Sequence, residues 1–176
     1  MYQHSCQNLN PQRHTTPKMP NGYVLPGTNR NRHRNYEQST QQLTDYGPYP
    51  FVTDIEEITK RNINFRTALW TGRHLQVSLM SLLPGEDIGL EQHPDIDQFI
   101  RIEQGKGVVM MGDNPNNPNF QQTVSEDYAF VIPAGKWHNL TNIGNMPLKL
   151  YSIYSPIQHP YGTLQPTKAD AEAAEK

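Results

Sequence analysis

After residue 50, apolar and polar positions alternate with a period of two in short runs. Residues 74–85, HLQVSLMSLLPG, set Leu75, Val77 and Leu79 on one side and Gln76, Ser78 and Met80 on the other, the pattern of an extended strand. The stretch QFIRIE, 98–103, puts Gln98, Ile100 and Ile102 on one face and Phe99, Arg101 and Glu103 on the opposite one. Further strands are expected in FRTALWTG (65–72), VVMM (108–111), FQQTV (120–124), YAFVIP (128–133), HNLTN (138–142) and PLKLYSIYSP (147–156). Gly and Pro turns punctuate them at Pro84-Gly85, at 105–107, at Gly144-Asn145 and at HPYG, 159–162. Residues 54–62 read either as one or two helical turns or as a strand with a turn at Arg61-Asn62. ADAEAAEK, 169–176, has helix-forming composition but no apolar face and is expected to fray. Roughly eight short strands with little helix define an all-β class. A closed barrel or double-sheet jelly roll disposes of the sheet edges best.

The alternation is missing from residues 1–50, which are rich in Asn, Gln, Pro, Arg and His and nearly free of aliphatic side chains. Such a segment buries too little surface to offset the entropy of ordering. The expected organisation is a low-complexity, disordered or draped extension over 1–50, a β-barrel domain over 51–165, and a frayed tail over 166–176. DYGPYPFVTDI, 45–55, is a candidate start of an extension that packs on a neighbouring subunit.

Charge follows the same division. The net charge is −2, yet residues 1–40 hold five basic side chains and one acidic, a local +4 that leaves −6 for the remainder. NRNRHRNYEQ, 29–38, reads as a polyanion-binding arm or as plain solvated chain. The mildly acidic remainder argues against a nucleic-acid-binding fold. Cys6 is the single cysteine, so no intrachain disulfide forms, which fits a reducing compartment. The N-terminus lacks the apolar core of a secretory signal, and no run approaches the ~18 apolar residues of a membrane span. The expectation is a soluble, cytoplasmic protein.

The candidate chemistry lies in two strand–turn units. Glu91, His93 and Gln98 fall within eight residues. Glu91 and His93, two apart in an extended segment, share a face, and Gln98 shares one with Ile100 and Ile102. His138 follows the Pro133-Ala134-Gly135 turn in the second unit. Two imidazoles, a carboxylate and an amide suit a borderline divalent metal such as zinc, iron(II), manganese, nickel or cobalt. The alternative is a surface turn at His93-Pro94-Asp95, with Asp95 capping backbone amides. Trp137 is expected to point away from the barrel interior, and Arg101 to lie on its outer surface.

The two units resemble the paired motifs of the cupin superfamily. The first family motif runs Gly, five residues, His-x-His, three or four residues, Glu, six residues, Gly. Here Gly85, Glu91-Gln92-His93, Gln98 and Gly105 keep that spacing. The second runs Gly, five residues, Pro-x-Gly, two residues, His, three residues, Asn, matched by Asp127, Pro133-Ala134-Gly135, His138 and Asn142. The resemblance covers about residues 65–156 and implies a cupin jelly-roll barrel around a divalent metal, a small-molecule ligand or substrate, and a homodimer. Its ligand roles carry over directly to His93 and His138. Glu91 stands where the family has a metal-binding His, and Gln98 where it has Glu; Asp127 replaces a turn Gly. The carboxylate has changed position, leaving the ligand charge at −1.

Glu-Gln-His-Pro-Asp is also similar to the Gln-x-His-Pro segment of type I mannose-6-phosphate isomerases, which are zinc cupins. That implies a sugar isomerase or epimerase, in which Glu91, if it is not a ligand, is the catalytic base. Two His and one carboxylate also match the ligand types of non-haem metal-dependent dioxygenases. A non-catalytic cupin that binds a small metabolite or sugar is the third reading.

Overall fold

The computed structural model describes residues 43–174. The basic stretch 29–38, Cys6 and most of the expected extension lie outside the described residues. In chain order the elements are α1 (Ile55–Arg61), β1 (Arg66–Thr71), β2 (Gln76–Leu82), β3 (Glu91–Gln92), β4 (Asp97–Gln104), β5 (Lys106–Gly112), β6 (Phe120–Ser125), β7 (Ala129–Ile132), β8 (Trp137–Asn142), β9 (Leu148–Ser155), β10 (Leu164–Gln165) and α2 (Lys168–Ala174). The strands form a six-stranded sheet, β10-β1-β2-β9-β4-β7, and a four-stranded sheet, β3-β8-β5-β6. Every named pairing is antiparallel. This is the all-β, double-sheet jelly roll that the alternation implies.

Strand register separates the inner face of the large sheet into two halves. Met80 lies opposite Leu150, which lies opposite Ile102, and Leu82 lies opposite Leu148. These five are fully buried, with Val109, Val124 and Leu140 of the small sheet among their neighbours in the core. One row higher the interior turns polar. Ser78 pairs with Ser152, Gln76 with Tyr154, and Tyr154 with Gln98; all five are nearly or fully buried. The polar side of β2 therefore faces into the barrel. Its apolar side, Val77 and Leu79, packs outward against Ile58 of α1 and against Leu43, Tyr46 and Phe51. A strand covered on both faces can carry polar residues inward wherever the interior is a site.

Asp54 caps α1 by accepting the Glu57 N–H at 3.0 Å. Glu56 and Glu57 occupy its first turn and Lys60 and Arg61 its last, the order that complements the helix dipole. These end signals select the helix over the strand alternative for 54–62. Residues 43–51 are ordered against the barrel rather than part of a loose arm. Asp45, buried, accepts hydrogen bonds from Thr71 Oγ1 (2.6 Å), Thr71 N (2.9 Å), Gly47 N (3.0 Å) and Gly162 N (3.1 Å).

The C-terminal segment departs from the expected fraying. Residues 168–174 form α2, started by Thr167 and Asp170, whose side chains bond each other's backbone N–H groups at 3.2 and 2.9 Å. Ala171 is buried in the main core cluster, and Lys168 pairs with Asp87. A single small residue against the barrel suffices where a cap holds the first turn. No helix of the described residues is long and apolar enough to cross a membrane.

Candidate metal centre

The polar end of the barrel faces the two motif units. Glu91 on β3 lies directly opposite His138 on β8 in the strand register. His93 follows β3 on the same chain segment, and the turn of the second unit holds it there. Gly135 N–H donates to the His93 carbonyl at 2.8 Å, Gln92 Nε2 donates to the Gly135 carbonyl at 2.8 Å, and Ala134 N–H donates to Asp97 at 2.9 Å. The Pro133-Ala134-Gly135 turn thus grips both ends of the His93 loop. Gly135 makes this turn at φ 80°, backbone that glycine adopts at least cost.

Glu91, His93 and His138 converge, with one ligand atom from each lying within 4.8 Å of the others. His138 Nε2 is 3.2 Å and His93 Nε2 3.4 Å from the same oxygen, Glu91 Oε1. His138 and His93 are 1% and 6% exposed. The other ring nitrogen of His138, Nδ1, is 3.0 Å from the Lys136 carbonyl. A carbonyl only accepts, so Nδ1 carries the proton. Neutral His138 then turns the lone pair of Nε2 toward a carboxylate oxygen. That approach is favourable only with a cation between them, either a second proton on the ring or a metal ion. Burial by itself would raise the Glu91 pKa; the contacts from His138 and His93 outweigh it and hold it at about 2, against an ordinary 4.5. The cluster is able to bind a metal.

Gln98, 1% exposed, projects inward from β4. Its Nε2 donates to Ser152 Oγ at 2.9 Å, while Oε1 is buried with no hydrogen-bond partner among the described residues. His93 Nε2 is buried and lacks a hydrogen bond in the same sense. Such buried atoms are uncommon in a folded interior unless something else partners them.

Other residues take places the alternation anticipates. Trp137 points outward and lines a cavity of about 260 Å³ with Leu90, Met110 and Asn139. Arg101 lies on the outer face of its sheet and pairs with the buried Glu103 at 3.1 Å and the exposed Asp127 at 2.8 Å. His159 is invisible to strand patterning, since HPYG reads only as a turn. The turn returns over the barrel mouth, where Tyr154 meets the His93 ring at 5.9 Å and the His159 ring at 5.2 Å, both edge-on. Ser78 is legible only as an alternating polar position.

The model of the cupin domain family matches residues 78–154. The YrkC protein of Bacillus subtilis (strain 168) is 62% identical over 140 residues, covering 80% of this chain and 75% of that protein. Protein L612 of Acanthamoeba polyphaga mimivirus is 44% identical over 115 residues, covering 65% and 70%. Among solved structures, BH2720 of Bacillus halodurans superposes with a TM-score of 0.73 at 63% identity, over 74% of this chain and 98% of that one. TT1209 of Thermus thermophilus, at 20% identity and a TM-score of 0.52 over 60% and 96%, shares the fold alone. With motif spacing, jelly-roll topology and these relatives in agreement, the chain belongs to the cupin superfamily.

Proposed function

We propose that Glu91, His93 and His138, with the Gln98 amide oxygen as a fourth donor, hold one divalent metal ion, and that the protein binds or transforms a small oxygen-bearing molecule there. The observation that carries this is the single carboxylate oxygen facing two buried imidazole nitrogens, one of which has its proton committed to a backbone carbonyl. The mixed nitrogen and oxygen set suits zinc, iron(II), manganese, nickel or cobalt. When bound, such an ion polarises a substrate oxygen or, if redox-active, works on dioxygen. The chain's own part is to fix the donors. Lys136 sets the His138 tautomer, Gly135 anchors His93, and Ser152 orients Gln98.

Two chemistries fit this centre, a sugar isomerase- or epimerase-like reaction and a dioxygenase reaction. Two imidazole contacts to a single oxygen favour Glu91 as a ligand over Glu91 as the proton-moving base. That observation favours the dioxygenase reading, because an isomerase would need its base elsewhere. A cytoplasmic location and a homodimer belong to the same proposal. Dimerisation is supported by Tyr128 and Val131, 51% and 57% exposed at the edge strand β7.

Metal content of the purified full chain, followed by oxygen uptake and aldose–ketose exchange with candidate substrates, tests the proposal. Stoichiometric iron with substrate-dependent oxygen uptake supports the dioxygenase; zinc or manganese with sugar exchange supports the isomerase. No bound metal, with no thermal shift by any divalent ion, overturns the metal centre and leaves non-catalytic binding. In His93→Ala the metal is expected to be lost, and full retention would refute the ligand assignment.

A further inference from the structure

The polar half of the barrel interior extends beyond the metal centre. Ser78 is fully buried, and its Oγ has no hydrogen-bond partner among the described residues. His159 Nε2 is buried and likewise unpartnered. Strand register and hydrogen bonding connect the two. Gln76, two residues before Ser78 on the same face of β2, grips the His159 backbone from both sides, accepting its N–H and donating to its carbonyl, each at 2.9 Å. Tyr154, opposite Gln76, carries the ring contacts that join His159 to His93. His159 is thus held in place by its backbone, while its ring nitrogen is left unused. Burial, with the Arg66 charge adding to it, pushes its pKa down to about 3, so the ring is neutral at ordinary pH.

We propose that Ser78 Oγ and His159 Nε2 bind hydroxyl groups of the same small molecule whose oxygen the metal takes. The anchor point of that molecule rests on the metal centre proposed above. The chemistry of the two groups selects the class. A hydroxyl and a neutral imidazole can each donate or accept. A ligand hydroxyl can do both in return, whereas a carboxylate only accepts and cannot donate to either group. These two groups, the proposed wall of the site, therefore favour a polyol or hydroxy-carbonyl compound over a simple dicarboxylate. Gln98 supports the same wall from β4, across β9 from Ser78, fixed by its bond to Ser152, the residue paired with Ser78.

The test uses the full chain loaded with cobalt(II), titrated calorimetrically with xylitol and, separately, with oxalate, which can engage the metal without the wall. Ser78→Ala deletes an atom that makes no bond in the structure. His159→Phe keeps the ring contact with Tyr154 and deletes the nitrogen. Each variant is expected to bind xylitol about tenfold more weakly, with cobalt stoichiometry and oxalate affinity within about twofold of the parent protein. Unchanged xylitol affinity in both variants overturns the wall, as does the absence of xylitol binding to the parent protein. Equal loss of oxalate and xylitol overturns it too, because the damage would then be general. If the parent protein holds no cobalt, the metal centre fails by itself, and xylitol titration of the metal-free chain and the two variants decides the wall by the same criteria.

Discussion

At position 91 the chain carries the carboxylate that its family places at position 98, and at 98 it carries an amide. The geometry gives this exchange a physical reading. Glu91 stands opposite His138 in the strand register and reaches both imidazoles through one oxygen. Gln98 sits across the barrel, donating to Ser152. The charge at position 91 therefore meets both histidines through one oxygen. Glu91→Gln keeps the shape and removes the charge, so metal affinity should fall by at least about tenfold. The double change Glu91→His with Gln98→Glu restores the family's donor types and the same ligand charge. Ser152 can reverse its hydroxyl to donate to a glutamate at 98, so the pair should recover metal binding that Glu91→Gln loses. Metal titrations of the three proteins check this; a double variant as weak as the single one would show that position 98 cannot supply a ligand. Glu91, His93 and His138 are legible as candidates from the paired motifs together with the family resemblance. The role of Lys136 is not, because a backbone carbonyl leaves no mark in a residue pattern.

The elements hold the site through loops more than through strands. The turn 133–135 bonds the His93 loop, and Gln76 bonds the turn that carries His159. Asp45 ties the end of β1 to residues 45–47 and to Gly162, three residues beyond His159. Asp45→Ala would leave three backbone N–H donors and the Thr71 hydroxyl without that acceptor. Each such loss in a buried setting is costly, so a destabilisation of about 2–4 kcal/mol is expected in urea unfolding. A change below about 0.5 kcal/mol would mean that water replaces the carboxylate freely. The strands are readable from period-two alternation and their Gly and Pro boundaries. Asp45 is not, because its four donors come from three separate stretches of chain. The C-terminal helix escapes a pattern reading for a related reason. Its stability comes from the Thr167–Asp170 cap and from Ala171 against the barrel, and one alanine makes no apolar stripe.

For the molecule as a whole, the barrel divides into an apolar lower half that supplies cohesion and a polar upper half whose burial costs stability. Binary patterning reveals the first and hides much of the second: inward Gln76 and Ser78 look like solvent-facing positions until the outer face is seen to be covered, whereas Gln98 shares its face with the apolar Ile100 and Ile102. The cost should appear as acid sensitivity. His159 has a folded pKa of about 3, against about 6.5 when unfolded. Between those values the unfolded chain takes up a proton that the folded chain refuses. Stability is therefore full above about pH 6.5 and falls as pH drops toward 3. Glu91 acts in a lower window, with stability present above about pH 4.5 and lost as pH falls toward 2. At about pH 5 the His159 effect is well developed, while Glu91 is still ionised when folded and only about a quarter protonated when unfolded. In metal-free protein, the urea midpoint should drop between about pH 7.5 and about pH 5, and His159→Phe should lose less over the same interval. The remaining histidines are common to both proteins and cancel in the difference. Equal losses would mean that the His159 ring is solvated in the native state, and a solvated ring could not serve as a desolvated partner for a ligand hydroxyl.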